Sequence, residues 1–331
     1  ATFARRPSRH LIAMTWVWLI GGLVVLVAGG ELLVQNASAL ALKAKVSPLV
    51  VGLTIVAMGT SAPELFASVQ AAWAGEGSIA IGNVSGSNVA NLGLALGLTA
   101  LVSPVAIGWK DLKLHWWVMM GATMAFMLFV QDLTLTRTEG LMFLAGAAMY
   151  LGGQILSARR AQSSQDPMVA ELLEEAGDAT RSYPLLLGSM VLGCVGLYFG
   201  SEAFVYGATQ CALDLGVSTH VVGVTVVAFG TSVPEIAASL TAALKGNSGL
   251  SIGNLVGSNI LNLLLVLGAT AEVHDLEVAD VVPTHDMWWM FGAALLLAPL
   301  MWLGKGSVGR MGGVLYVCIY VLYVVLVVRH G

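Results

Sequence analysis

The chain has 331 residues, of which 57% are hydrophobic and 10% charged, with a mean hydropathy of +0.84 and a formal charge of −4. So apolar a composition excludes a soluble globular domain. The Lys and Arg residues are too few and too scattered for a nucleic-acid surface, and Cys194, Cys211 and Cys318 fit neither a zinc-binding spacing nor a disulfide framework.

Arg5, Arg6, Arg9 and His10 precede a first apolar run that is too long for a signal-peptide core and is expected to span a membrane. Crossing a hydrocarbon core roughly 30 Å thick takes about 20 apolar residues in helical form. Windows of that kind fall near 14–42, 48–73, 78–102, 115–131 and 139–157, the second and third divided at Gly75-Glu76-Gly77. The polar stretch 158–183 follows, where Pro167, Met168, Leu172 and Leu173 among acids predict one short amphipathic surface helix. Five more windows fall near 184–211, 219–244, 249–271, 286–303 and 308–328, the seventh and eighth divided at Lys245-Gly246-Asn247. The expected fold is an all-α polytopic membrane protein of ten transmembrane helices. Residues 1–157 form a first five-helix repeat, 158–183 a cytoplasmic linker, and 184–331 a second five-helix repeat.

Basic residues orient such a chain. One set of connections holds Lys43, Lys45, Lys110, Lys113, Arg159, Arg160, Arg181, Lys245, Lys305 and Arg310. The opposite side holds Arg137, Arg329 and the three N-terminal arginines, which run against the assignment. The larger set is expected in the cytoplasm, with both termini and the acidic segment Glu272 to Asp286 outside. Because five is odd, the second half enters the membrane upside down relative to the first. An inverted-topology repeat of this kind predicts a substrate site near the midplane and two alternative packings for alternating access.

Sequence repetition agrees. Gly52 to Gly97 aligns without a gap on Gly223 to Gly268 at an offset of 171, with 25 identities in 46 positions. Gly59-Thr60-Ser61-x-Pro63-Glu64 matches Gly230-Thr231-Ser232-x-Pro234-Glu235, and Gly82-Asn83-x-x-Gly86-Ser87-Asn88-x-x-Asn91 matches Gly253-Asn254-x-x-Gly257-Ser258-Asn259-x-x-Asn262. A charged side chain at the bilayer centre costs about 2.5–3.5 kcal/mol even on the lenient insertion scale. Two such carboxylates, symmetrically placed, point to a cation site.

On a helix Thr60 and Glu64 share a face, with Ser61 beside it. Pro63 has no amide hydrogen for the Gly59 carbonyl, so main-chain oxygens around Ala57 to Thr60 are expected to be free for a ligand, and Pro234 repeats the arrangement. Asn83, Ser87 and Asn91 step by four, as do Asn254, Ser258 and Asn262, presenting oxygens along one stripe. The two Gly-x-x-x-Gly pairs let neighbouring backbones approach. A pocket of carboxylates, hydroxyls, amides and carbonyls without thiol or imidazole selects a hard cation, and two carboxylates would neutralise calcium. The same two charges would equally balance two sodium ions or two protons, which is a physical basis for exchange.

Other features are weaker. Glu31 and Glu202 also match at the 171 offset and are either auxiliary site residues or locally paired acids. Gly249-Leu250-Ser251-Ile252-Gly253 fits a hydrolase pattern but follows no strand, and Ala80 stands opposite Ser251 in the first copy. His274, Asp275, His285 and Asp286 could bind a metal outside the membrane, although a solvated acidic loop is the simpler reading.

The paired Gly-Thr-Ser-x-Pro-Glu and Gly-Asn-x-x-Gly-Ser-Asn-x-x-Asn segments resemble the two alpha-repeats of the cation/calcium exchanger superfamily, especially its sodium/calcium branch, in the prokaryotic form without a regulatory domain. The resemblance implies that helices two, three, seven and eight form the ion sites, and that helices one and six slide across them. It implies that Glu64 and Glu235 ligate calcium and share sodium, with oxygens from Thr60 and Thr231 and the Ala57 and Ala228 carbonyls. Ser61 and Ser232 would flank the site, Ser87 and Ser258 would complete sodium sites, and Asn91 and Asn262 would face each other centrally. Potassium-dependent and some microbial members carry Asp at the position of Asn262, so the Asn here argues against potassium coupling.

The expected function is a sodium/calcium antiporter of the cell membrane that extrudes Ca2+, with Ca2+, Na+ and membrane lipid as partners. No cofactor, enzymatic activity or nucleic acid is expected, and one copy is expected to suffice. A calcium/proton antiporter of the same superfamily is the alternative, and a cation channel a remote one.

Overall fold

The computed structural model describes residues 9–162, 182–214 and 230–330. A long helix, α1 (Arg9–Lys43), ends in a turn at Lys45 and leads into α2 (Pro48–Thr60), capped by the Ser47 hydroxyl. At Ser61 the path bends by 43° into α3 (Ala62–Trp73). The hairpin to α4 (Gly77–Val102) turns at Gly75, whose φ of +81° only glycine adopts readily. There the Glu76 and Gly75 amides donate to the Ala71 and Ala72 carbonyls at 2.8 and 2.9 Å, closing the helix end. Asn247 and Gly246 repeat that closure on Ala242 and Ala243 at 2.8 and 3.0 Å, after α8 (Val233–Leu244).

The remaining helices are α5 (Trp109–Asp132), α6 (Arg137–Gln162), α7 (Tyr183–Asp214), α9 (Ser248–Ala271), α10 (Val282–Leu303) and α11 (Arg310–His330). Among the described residues eight helices are long and apolar enough to cross a membrane, nine if the bent pair α2–α3 counts as one span. The short apolar α8 completes only part of the expected window 219–244, because residues 219–229 lie outside the described residues, as does the surface helix expected around Pro167. Two boundaries differ from expectation. α5 begins at Trp109 rather than 115, since Lys110, Asp111 and Lys113 extend it beyond its apolar core, and α10 begins at Val282 in a π-helical turn. Among the described residues there are also four two-residue strands where only helices were expected. β1 (Val105–Ala106) pairs antiparallel with β4 (Ser307–Val308), and β2 (Thr134–Leu135) with β3 (Leu276–Glu277), tying the loops together at the ends of the helices.

α4 and α9 are central: the most apolar stretches of these two are 78% and 94% buried, against 33% for α1 and 22% for α11. Packing crosses between the two ends of the chain. α6 lies on the end of α9, where Gly140 meets the Gly268 carbonyl, and α11 lies on the end of α4, where Gly313 meets the Gly97 carbonyl. Apart from this body, α1 and α7 run antiparallel and form their own apolar cluster with α2 and α8. Glycines make their seam. A Cβ on Gly193 would lie 2.8 Å from the Leu33 nitrogen, and one on Gly200 would lie 2.7 Å from the Leu26 nitrogen. Only hydrogen at these positions lets the backbones meet.

Candidate cation site

The site begins with two matching interruptions. Ser61 (φ −84°, ψ 3°) and Ser232 (φ −89°, ψ −1°) leave the helical path, and Pro63 and Pro234 then start α3 and α8, where a missing amide hydrogen costs nothing. Glu64 and Glu235 fall in the first turn of these new helices, the end whose dipole favours negative charge. Both are 0% exposed. Neither oxygen of Glu64 has a hydrogen-bond partner, and Glu235 Oε2 has none either, while its Oε1 accepts from the Ser61 hydroxyl at 3.3 Å. The two carboxyls are near enough to interact electrostatically. No Lys or Arg bridges to either among the described residues. Buried carboxylates in this condition demand a proton or a cation.

Oxygens surround them. The Thr60 hydroxyl donates to Asn254 Oδ1 at 3.0 Å and lies 3.5 Å from the Ser258 hydroxyl. Asn262 Nδ2 donates to the Ser87 hydroxyl at 3.1 Å, leaving Asn262 Oδ1 and both polar atoms of Asn91 without partners. Asn91 and Asn262 each open a π-helical stretch, Asn91–Leu96 and Asn262–Leu267, a geometry that recurs at functional sites. Thr60, Ser61, Ser87, Asn91, Ser232, Ser258 and Asn262 are all buried, and of these Ser61 bonds directly to Glu235. The Ser232 hydroxyl is unpartnered. Ala57 is buried, but its carbonyl accepts the Ser61 amide at 2.9 Å and is therefore not wholly free, contrary to expectation. Ala228 lies outside the described residues. Thr231 stands apart, half-buried on the wall of a cavity of about 660 Å³.

Two residues outside the sequence motifs, Ser68 and Ser239, also support the site. Asn83 Nδ2 donates to the Ser68 hydroxyl at 3.0 Å and to the Glu64 carbonyl at 3.4 Å. Asn254 Nδ2 repeats this with Ser239 at 2.9 Å and the Glu235 carbonyl at 3.5 Å. Ser68 and Ser239 are identical residues at the 171 offset, a signal available beforehand. Asn88 and Asn259 also exchange bonds, each amide donating to the other's main-chain carbonyl at 3.3 and 3.2 Å.

The halves are not in the same state. Gly30 of α1 sits tightly on α8, where a Cβ would come within 3.1 Å of the Thr241 hydroxyl and 3.3 Å of the Ala237 carbonyl. The matching surface of α7 stands off α3 instead, and the cavity between them is lined by Phe66, Ala67, Gln70, Ser201, Glu202 and Thr231, among others. Ala67 is exposed there, whereas its counterpart Ala238 is 1% exposed.

The acidic loop holds no metal cluster among the described residues. His274 bonds the Ala72 and Asp275 carbonyls, while His285 pairs with Asp286 at 3.0 Å and accepts from Trp289 at 3.0 Å. Glu31 pairs with Lys245.

The family model for sodium/calcium exchanger proteins matches residues 14–156 and 185–329. The putative antiporter CaxA of Alkalimonas amylolytica is 37% identical over 298 residues, covering 90% of this chain and 92% of that protein. Sodium/calcium exchanger MaX1 of Methanosarcina acetivorans is 31% identical over 348 residues, covering 96% of this chain and 99% of its own. The solved structure of the sodium-calcium exchanger NCX_Mj, soaked with zero Na+ and Ca2+, matches at a TM-score of 0.78 and 29% identity, over 96% of this chain and 99% of that one.

Proposed function

This chain belongs to the sodium/calcium exchanger protein family, and from that premise we propose that it is an antiporter that exchanges Na+ for Ca2+ at one buried all-oxygen site. It is a transporter and not an enzyme. One observation carries the reading: Glu64 and Glu235, from matching halves of the sequence, are fully buried together with three of their four oxygens unpartnered. Calcium takes 6–8 oxygens. The two carboxylates, the Thr60 hydroxyl and neighbouring main-chain oxygens would supply that kind of shell, with Thr231, which stands on the cavity wall here, as a further candidate. Sodium would share the carboxylates and use the Ala57 and Ala228 carbonyls with Ser61, Ser232, Ser87 and Ser258, while Asn91 and Asn262 contribute neutral amide oxygens at the centre.

Exchange follows from electrostatics. Two negative charges accept one calcium or a set of monovalent ions, but repulsion forbids both loads together. More than two sodium ions per calcium would leave net positive charge on the loaded carrier and make the cycle electrogenic. In a ten-helix arrangement of two inverted halves, 1–157 and 184–331 joined by 158–183, this pocket would lie where the halves meet, near the membrane midplane. The α1–α7 pair, with its own apolar cluster and glycine seam, is the element that moves across it. The cavity between α3 and α7 is lined by α3 residues from Ala62 to Gln70, on the helix that runs on to the hairpin at Gly75. On the orientation drawn from the basic residues, that side is extracellular and this arrangement faces outward. Both chain ends lie outside, the protein sits in the cell membrane among lipid, and a single copy holds the whole site.

The family favours sodium over the proton alternative. The decisive test is calcium uptake into vesicles holding purified protein. An imposed sodium gradient should drive uptake, and a pH gradient alone should not. Full flux on a pH gradient with no effect of sodium refutes the reading, and flux without any counter-ion gradient would make the protein a channel.

A further inference from the structure

We propose that Lys245 is a positioning residue that latches the α1–α7 pair in the arrangement seen here, and that the duplicated position lacks its counterpart. The inference rests on the proposed exchange cycle. Lys245 Nζ lies 2.9 Å from Glu31 Oε1, and Glu31 also accepts from Gln35 at 3.0 Å. Two turns further along α1, Asn247 Nδ2 donates to the Ser38 hydroxyl at 3.0 Å. With the close approach of Gly30 to Thr241 and Ala237, these bonds hold α1 against the α8–α9 hairpin.

The 171-residue offset says what the mirrored arrangement would contain. Glu31 becomes Glu202, Ser38 becomes Thr209, Asn247 becomes Glu76 and Lys245 becomes Ala74. A cation facing an acid is thereby replaced by a methyl group, with a second acid close by. Glu202 has no ionic partner among the described residues and lines the cavity between α3 and α7. The pocket residues are matched almost one for one between the halves, so this pair of positions is one place where the two access states become unequal. Closing α1 on α8 gains an ion pair and a hydrogen bond. Closing α7 on α3 in the mirrored way brings Glu202 to Ala74 and Thr209 to Glu76, with no cation for either acid.

Both members of the pair are partly exposed, at 35% and 51%. Exposed pairs of this kind shift an equilibrium by about 1.4- to 5-fold. The test uses two reporter cysteines in a chain whose three native cysteines are Ser. Ala67→Cys reads the open cavity, and Ala238→Cys reads its mirror. The ratio of their labelling rates by a small maleimide in ion-free vesicles tracks the ratio of the two access states. Lys245→Ala and Glu31→Gln should each lower the Ala67-to-Ala238 ratio by up to about fivefold. The exchanged pair Lys245→Glu with Glu31→Lys should restore it, which a merely structural role would not. Ala74→Lys, which supplies the missing cation to Glu202, should lower the ratio again. Unchanged ratios in Lys245→Ala and Glu31→Gln, with sodium-driven calcium flux intact, overturn the latch and leave the exchange reading standing. Loss of sodium-driven flux in the parent chain overturns the exchange reading itself.

Discussion

Replacing either site glutamate by its amide separates the two roles of these carboxylates. Glu64→Gln and Glu235→Gln keep the shape and remove one charge from a site with no other counter-charge. Taking one partner from a buried ion pair costs about 3–5 kcal/mol, which corresponds to about 10²- to 10⁴-fold weaker calcium binding. At calcium 100-fold above the parent's dissociation constant, binding stabilises the folded protein by about 2.7 kcal/mol; in either variant that gain falls to about 0.4 kcal/mol or less. The ion-free proteins should behave oppositely. Glu64 has no partner for either oxygen and interacts with Glu235, so its amide relieves an unfavourable burial. Thermal melting of purified protein with and without calcium should therefore show a large calcium shift in the parent and almost none in the variants. Without calcium, the variants should melt at or above the parent temperature. A calcium shift that survives in both variants refutes the assignment of the site.

Gly193→Ala forces a methyl group to within 2.8 Å of the Leu33 nitrogen in the α1–α7 seam, an overpacking that costs about 1–3 kcal/mol. Calcium binding by isothermal titration should persist while flux drops, because the pocket does not include this seam; equal loss of both would show that the seam shapes the pocket. His274, on the loop before α10, bonds the Asp275 and Ala72 carbonyls, which hold its pKa above the ordinary histidine value, although burial and Arg137 oppose them. A raised folded pKa gives stability that is complete below the unfolded value of about 6.5 and lost as pH rises through the folded one. Melting temperature should thus decline above about pH 6.5 in the parent and decline less in His274→Gln; parallel profiles would remove His274 as the cause.

Much of the site was readable because duplication marks it. A single Pro63 or a single Ser87 in a membrane helix has several ordinary explanations, but the same residues in register around Glu64 and Glu235 do not. The two hairpin splits carry a fainter signal, a short break at Gly75 and at Gly246 inside long apolar runs, and both glycines turn there with positive φ. What sequence alone left out depends on which side chains meet. The spacing of Asn83 and Asn254 puts their oxygens on a polar stripe but does not show that their amide nitrogens are spent on Ser68, Ser239 and the glutamate main chain. The difference between the halves was invisible for another reason. Near-identical segments can settle into unequal packings, and only coordinates reveal that Gly30 is seated on α8 while Ser201 borders a cavity. The pairing of Glu31 with Lys245 likewise joins residues from opposite halves, beyond any local pattern.

The crossing of α6 and α11 bears on how such a chain could have arisen. If the chain is divided at the stretch 158–183, each piece keeps a terminal helix whose resting place is on the other piece, and a resting place whose helix is missing. Gly140 against Gly268 and Gly313 against Gly97 are the same joint made twice. Two identical five-helix subunits inserted in opposite directions would have satisfied both joints without any linker. On the proposed inverted arrangement this chain would be such a pair joined end to end, and Ala74 opposite Lys245 is one position at which the two repeats differ.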